Sequence, residues 1–227
     1  MNAFETTLAA TLGPENLARI QQVKVGIAGA GGLGSNCAAF LVRTGFKRLK
    51  IVDFDRVEAG NLNRQFFFAG QVGLLKVEAL AENLRRINPD LFIESLALRI
   101  EKDNVAGLFD DCPVVVEALD RPEYKKLVVE TCLGLDKLVV AASGLAGWGR
   151  SDGIVIHRVK ENFFLVGDLV SEAGPDCPPL APGVAVAAAK QADLVLSHVL
   201  GKGLQSQTPL GAIRDSQGEF RLKSSGQ

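Results

Sequence analysis

Close-spaced cysteine pairs are missing from this 227-residue chain: Cys37, Cys112, Cys132 and Cys177 stand far apart and no C-x-x-C occurs. That excludes the usual paired-cysteine zinc site and gives no disulfide framework, so a reducing cytoplasm is the expected compartment. An excess of one charge is missing too. Lys and Arg number 25 against 26 Asp and Glu, a net charge of −1, which leaves no electrostatic case for nucleic acid. No apolar run is clean enough to suggest a membrane span, because Val184 to Leu200 contains Lys190, Gln191, Asp193 and His198. The N-terminal MNAFETTLAATLG carries Glu5 and has no basic region ahead of an apolar core, so a signal peptide is not expected. No internal repeat is visible. A hydrophobic fraction of 47% and a charged fraction of 22% are ordinary for a globular protein, and the length suits one domain with a full core.

What is present is organised around Val23 to Arg64. Gly29, Gly31 and Gly34 form G-x-G-x-x-G directly after the run Val23 to Ile27, and a helix follows from Leu33 to Thr44, stopped by Gly45. A second strand, Leu49 to Val52, ends in Asp53. In such a unit Gly29 allows the tight turn, Gly31 lets backbone approach phosphate, and Gly34 lets helix pack on strand. The acid at the end of the second strand can accept from a ribose hydroxyl. These residues predict a bound nucleotide and leave NAD and ATP both open.

The rest of the chain continues the alternation. Asn2 reads as the cap of a first helix with Glu5 as its capping-box partner and Gly13 as its stop, and Pro14 opens a second helix to about Gln21. Phe54 to Gly73 is a long polar and aromatic loop of the kind that usually carries function. Helices are expected at Leu75 to Ile87, near Asn104 to Phe109, at Pro122 to Leu133 and at Val184 to Leu200. Strands are expected at Leu91 to Leu96, Val114 to Glu117 and Leu138 to Ala142, with Ile154 to Val159 an antiparallel strand beyond the parallel part. The fold expected is a Rossmann-like, doubly wound, mostly parallel α/β sheet with helices on both faces and a C-terminal antiparallel extension. Residues 1–201 would form one domain, N-terminal helices included, and 202–227 a polar tail. Asp53, the Asn61 to Gln65 loop and Asp120 all follow strand ends, so they would converge on one crevice.

Asn61, Arg64, Gln65 and Lys76 place two cations and two amides shortly after the ribose-binding acid. A dinucleotide already held by a glycine turn does not need them; a triphosphate attacked at its α-phosphorus does, because charge grows on its oxygens and on departing pyrophosphate. Asp120 suits Mg²⁺, which takes one or two carboxylates plus phosphate oxygens. Plainer readings stand beside these. A lone glycine turn with an acid most often means NAD or FAD, loop cations are usually solvated, and Asp120 reads equally as the cap of the helix opening at Pro122. Phe66, Phe67 and Phe68 read as packing, Cys37 as core, and His157 and His198 have no partner pattern.

The segments GAGGLGSN, VDFDRVEAGNLNRQ, the Lys of GLLKVEAL, INP and VVEALDRPEYK together resemble the superfamily that activates ubiquitin-like proteins. Within it, AASGLAGWG and the later GD-x-x-SEAGPD-x-C-x-PLAPGVAVAAAKQA look like the short, zinc-free branch of ThiF-type sulfur-carrier-protein adenylyltransferases, over about Met1 to Gly201. The resemblance implies ATP- and Mg²⁺-dependent adenylation of the C-terminal Gly-Gly carboxylate of a small ThiS-like carrier, for thiazole (thiamine) biosynthesis. It implies that Gly29, Gly31, Gly32 and Gly34 cradle the nucleotide and Asp53 holds the ribose. Asn61, Arg64, Gln65 and Lys76 would then surround the phosphates, Asp120 would hold Mg²⁺, and the assembly would be a homodimer with the last helix near its interface. Cys177 lies where relatives of the superfamily place a nucleophilic cysteine, but with no neighbouring His or Lys to activate it the plainer reading, an accidental loop thiol, is the favoured one. The N-terminal arginine of many members has no good counterpart, since only Arg19 precedes the glycine turn. Competing readings are an NAD-dependent oxidoreductase, a non-catalytic scaffold, and a relative acting on another carrier or on a tRNA-attached carboxylate.

Overall fold

A computed structural model describes residues 1–201 and the pair Thr208–Pro209. Two helices lead in, α1 (Ala3–Leu12) and α2 (Pro14–Gln22). Then β1 (Lys24–Ala28), α3 (Gly32–Arg43) and β2 (Arg48–Val52) build the glycine-turn unit. Next come α4 (Lys76–Arg85), β3 (Phe92–Leu96), α5 (Val105–Leu108), β4 (Val114–Glu117), α6 (Pro122–Gly134) and β5 (Leu138–Ala142). The chain continues through β6 (Val155–Lys160), β7 (Phe163–Gly167), α7 (Ala181–Leu200) and the two-residue β8 (Thr208–Pro209).

The strands form one sheet in the order β3-β2-β1-β4-β5-β7-β6-β8, parallel except for the β6–β7 pair. Two apolar layers sandwich it. Ile20, Leu41, Leu80 and Val195 pack on one face, from α2, α3, α4 and α7, and Val105, Phe109, Val128 and Cys132 on the other, from and around α5 and α6. The valine run of β4 is buried at every position, as a central parallel strand covered on both faces should be. The order of strands reverses between β1 and β4, which makes a crevice over their carboxyl ends.

The Rossmann-like, mostly parallel sheet is therefore as expected, and the departures are local. Phe163–Gly167 forms a strand that the sequence reading leaves unassigned. It lies parallel beside β5, so the antiparallel β6 pairs with β7 and is separated from the parallel part by it. Helix α7 starts at Ala181, three residues before the expected Val184, with proline in its first turn. It is the one helix among the described residues long and apolar enough to cross a membrane. Its Val184, Ala187, Ala188, Gln191, Ala192 and Val195 are spaced as one helical face and are buried against the protein. Asn2 caps α1 by accepting from the Glu5 amide at 3.0 Å. The Glu5 side chain, however, does not close a capping box. It is buried, pairs with Lys47 Nζ at 2.8 Å and accepts from Asn88 at 3.2 Å, which pins α1 to the body. Of the tail 202–227, all but Thr208–Pro209 lies outside the described residues.

Candidate active site

The glycine turn is built by contact. A Cβ at Gly34 would sit 1.8 Å from the Gly29 carbonyl oxygen, and one at Gly29, whose φ is +98°, would meet the Ala118 carbonyl oxygen at 2.8 Å. Side chains at either place would force α3 off β1, or β1 off β4. Asp53 closes the turn from β2: its carboxylate accepts from the Ala30 amide at 2.6 Å and the Asp55 amide at 2.8 Å. Burial pushes its carboxyl above the ordinary range, with those two amides and Lys76 pulling the other way.

Above the strand ends opens a cavity of about 460 Å³, within the range of small-molecule sites. Gly29, Gly31 and Gly32 line it at the glycine turn and Asp53 at the end of β2, with Arg64, Gln65 and Lys76 from the long loop and α4. Asp120 lines it after β4, and Ser143 to Ala146 after β5. The long loop is held by α3: Asn36 donates to the Arg64 carbonyl at 2.8 Å, and the Ser35 hydroxyl accepts from the Phe66 amide at 2.9 Å. The Arg64 guanidinium donates to the Gly60 carbonyl at 3.2 Å and to Asn63 Oδ1 at 2.8 Å, and has no carboxylate partner among the described residues. Lys76 is buried and its ammonium lies 2.9 Å from Asp55. Gln65 is buried with its Oε1 unmatched by any hydrogen bond among the described residues, a place at the cavity wall for a donor from a ligand.

Most of the expected residues thus come together. Three do not reach the cavity wall: Asn61, Gly34 and Cys177. Asn61 is turned inward, its Oδ1 accepting from the Glu58 amide at 3.0 Å to close a short 3-10 turn. Gly34 lies beneath the turn in its packing role. Asp120 is not a helix cap: the N-cap of α6 is Arg121, and no protein group among the described residues bonds the Asp120 carboxylate. No group of three His, Cys, Asp or Glu able to hold a metal occurs among the described residues. A single unbonded carboxylate beside a polyphosphate-sized cavity fits Mg²⁺ held jointly with phosphate oxygens.

Several wall residues had no role in the sequence reading. Asp55 is the partner of Lys76. Phe54 and Leu98 flank the mouth, with the Arg99 guanidinium 4.4 Å from the Phe54 ring centre. Lys125 also reaches the cavity, paired with the fully buried Glu117. Charge alternation on a predicted helix gives no signal for such a pair, because its acid sits on a neighbouring strand. Arg19 donates to the Val199 carbonyl at 2.8 Å, so within this chain it holds the end of α7.

Cys177 does not line the cavity. Its thiol points at Gly147, where a Cβ would stand 2.7 Å from Sγ, in a tight turn closed by the reciprocal Gly174–Cys177 backbone bonds at 3.1 and 3.3 Å. It is half-buried rather than openly exposed. The other cysteines are buried, with thiols pushed up by burial, Cys112 to about 12 and Cys132 to about 11.

A parallel sheet with a glycine turn at its switch point, an acid closing that turn, and cations with an unbonded carboxylate around one cavity define a nucleotide-binding α/β protein built for a charged phosphate chain. The family can be stated more closely. The chain belongs to the ThiF family, whose model matches residues 4–221. It is 36% identical over 133 residues to an adenylyltransferase and sulfurtransferase UBA4 from Candida glabrata, a stretch covering 58% of this chain and 31% of that protein. It is 44% identical over 86 residues to ubiquitin-like modifier-activating enzyme 5 from Arabidopsis thaliana, 38% of this chain and 20% of that protein. The matched stretch thus spans a third or less of these relatives. Among solved structures, E. coli tRNA N6-threonylcarbamoyladenosine dehydratase TcdA in complex with AMP superposes with a TM-score of 0.75 at 22% identity, covering 87% of this chain and 94% of that one. E. coli MccB with AMPCPP and MccA gives 0.65 at 23%, covering 83% and 59%. At these identities the likeness is one of fold.

Proposed function

We propose that the chain is an ATP-dependent adenylyltransferase that activates the C-terminal Gly-Gly carboxylate of a small ubiquitin-like sulfur-carrier protein, ThiS-like and serving thiazole synthesis. The observation that carries this reading is the convergence of Arg64, Lys76 and Asp120 on the cavity floored by Gly29, Gly31 and Gly32. A carrier carboxylate oxygen would attack the α-phosphorus, its new P–O bond replacing the bond to the bridging oxygen, and pyrophosphate would leave. The glycine turn and the N-terminus of α3 would receive phosphate oxygens, and Asp53 the ribose. Arg64 and Lys76 would neutralise charge growing on the leaving pyrophosphate, Lys76 exchanging Asp55 for phosphate. Mg²⁺ held by Asp120 and the phosphates would supply further charge neutralisation. Positioning and electrostatics account for most of the rate in such a step.

The exposed Asp120, unbonded among the described residues, supports the enzyme over a scaffold of the same fold, and the cations at the cavity wall support ATP over NAD. The reading extends to a homodimer and to no role for zinc or nucleic acid; the compartment proposed is the cytoplasm. Incubation with ATP, Mg²⁺ and a ThiS-like carrier should add one AMP to the carrier by mass and support carrier-dependent ATP–pyrophosphate exchange. NAD binding without ATP binding would overturn the reading. Adenylation of a different carrier, or of a tRNA-attached carboxylate, would correct the substrate alone.

A further inference from the structure

The inner side of the β4–α6 turn carries a charge pair that the proposed reaction does not use. Glu117, the last residue of β4, is fully buried. Its Oε1 accepts from the Leu119 amide at 2.7 Å and from Lys125 Nζ at 3.1 Å, and its Oε2 lies 2.9 Å from the same ammonium. Lys125, on the first turn of α6, also donates to the Leu119 carbonyl at 2.9 Å. The ammonium spends two of its three donors on Glu117 Oε1 and the Leu119 carbonyl, and lies 2.9 Å from Oε2 as a charge contact without hydrogen-bond geometry, so most of its capacity goes to the protein although it lies at the cavity wall. The Glu117 backbone is fixed from the other side: Gln191 of α7 donates to its carbonyl at 3.2 Å, and the Ala118 amide donates to the Ala28 carbonyl at 2.9 Å. Glu117, Ala118 and Leu119 are therefore each held by at least one bond, and the next residue is Asp120, whose carboxylate is bonded to nothing among the described residues.

We propose that Glu117 and Lys125 form a charge-neutral strut that sets where Asp120 stands, making both of them positioning residues for the Mg²⁺·ATP complex rather than ligands of it. The proposal rests on the adenylation reading. A salt bridge this buried is weak as a source of stability but strong as a geometric constraint, because removing one partner strands the other in a dry site. Burial pushes the Glu117 carboxyl upward and Lys125 draws it back, consistent with an acid that depends on its partner. With Glu117 neutralised, the Lys125 ammonium loses its counter-charge and is drawn toward the phosphates, to the place where the metal would sit.

The discriminating measurement is calorimetric titration of ATP with and without Mg²⁺ into the full chain and into Glu117→Gln, Lys125→Met and the double variant, with melting curves for each. The metal-dependent part of ATP affinity should fall about tenfold in each single variant, the middle of the range for coupled neighbours. ATP affinity without metal should fall no further than wild type in Glu117→Gln. The double variant, neutral again and with Gln able to accept from Leu119, should recover to within about threefold of wild type. Single variants that titrate like wild type overturn the strut. So does a double variant that shows the sum of both losses, which would make Lys125 a direct phosphate ligand. A wild-type chain that takes up no ATP overturns the adenylation reading itself, an outcome distinct from the other two.

Discussion

Arg64, Lys76 and Asp120 differ in how the protein holds them, and their substitutions should differ accordingly. The Arg64 guanidinium is tied, among the described residues, only to its own loop, through Gly60 and Asn63. The Asp120 carboxylate is bonded to nothing among the described residues, and Lys76 is buried against Asp55. Each alanine variant should lower adenylation by roughly 10²–10³-fold, as the removal of one preorganised donor does. Arg64→Ala and Asp120→Ala should leave the melting temperature within a degree or two, about what surface changes do. Lys76→Ala should also lower it, since truncating the buried Lys76 stem leaves a cavity, while the exposed Asp55 can return to water. Pyrophosphate exchange beside differential scanning fluorimetry would separate the two effects. Most of this site was legible as residue types, because a glycine turn, an acid and a cation-bearing loop each leave a local pattern. What was not legible is pairing across elements. Nothing local to Asp55 reveals that Lys76, on the far side of the loop, is its partner.

Among the elements, the glycine turn tolerates least. Gly34→Ala should cost at least about 1–3 kcal/mol, the range for an overpacked site, and should abolish ATP binding. A backbone carbonyl 1.8 Å from the new Cβ offers no rotamer by which to yield. Chemical denaturation with a parallel ATP titration would test it, and a stable variant that still binds ATP would show the turn to be more plastic than its packing implies. At this scale the α3, β4 and β5 elements were readable because their periodicity or their β-branched runs agree with their burial. Strand β7 was not. Its five residues FFLVG are buried on both faces, so they show no alternation, and what decides their state is a slot beside β5 offered from far away in sequence. Helix α7 began early because Pro182 is welcome in a first turn, where apolar spacing alone suggests a later start.

For the molecule as a whole, acid stability should depend on the bottom of the sheet, away from the cavity. Asp111 pairs with Lys24 and Lys50, and Glu94 with the same two lysines. Partial burial opposes ionisation of Asp111, but the bonds from Lys24 and Lys50 win and hold its carboxyl well below the usual range. A carboxyl depressed in the folded state contributes stability above its unfolded value near 4, and that contribution is lost as pH falls through the folded value. Asp111→Asn should therefore lower the melting temperature at pH 7 and flatten its decline between about pH 4 and 2. A parallel decline in variant and wild type would remove the pair from the account of acid unfolding. Small-angle scattering at low concentration should give the mass of a dimer; a stable monomer would count against the proposed assembly.

The placement of the thiols has a practical consequence. Cys37, Cys112 and Cys132 are sealed in the core with burial raising their pKa, whereas Cys177 is partly accessible at the turn against Gly147. A maleimide dye added to the folded protein at neutral pH should therefore attach once per chain, and Cys177→Ser should take up none until denatured. That single attachment point, on the segment leading from β7 into α7, would let fluorescence report on docking without engineering a new cysteine.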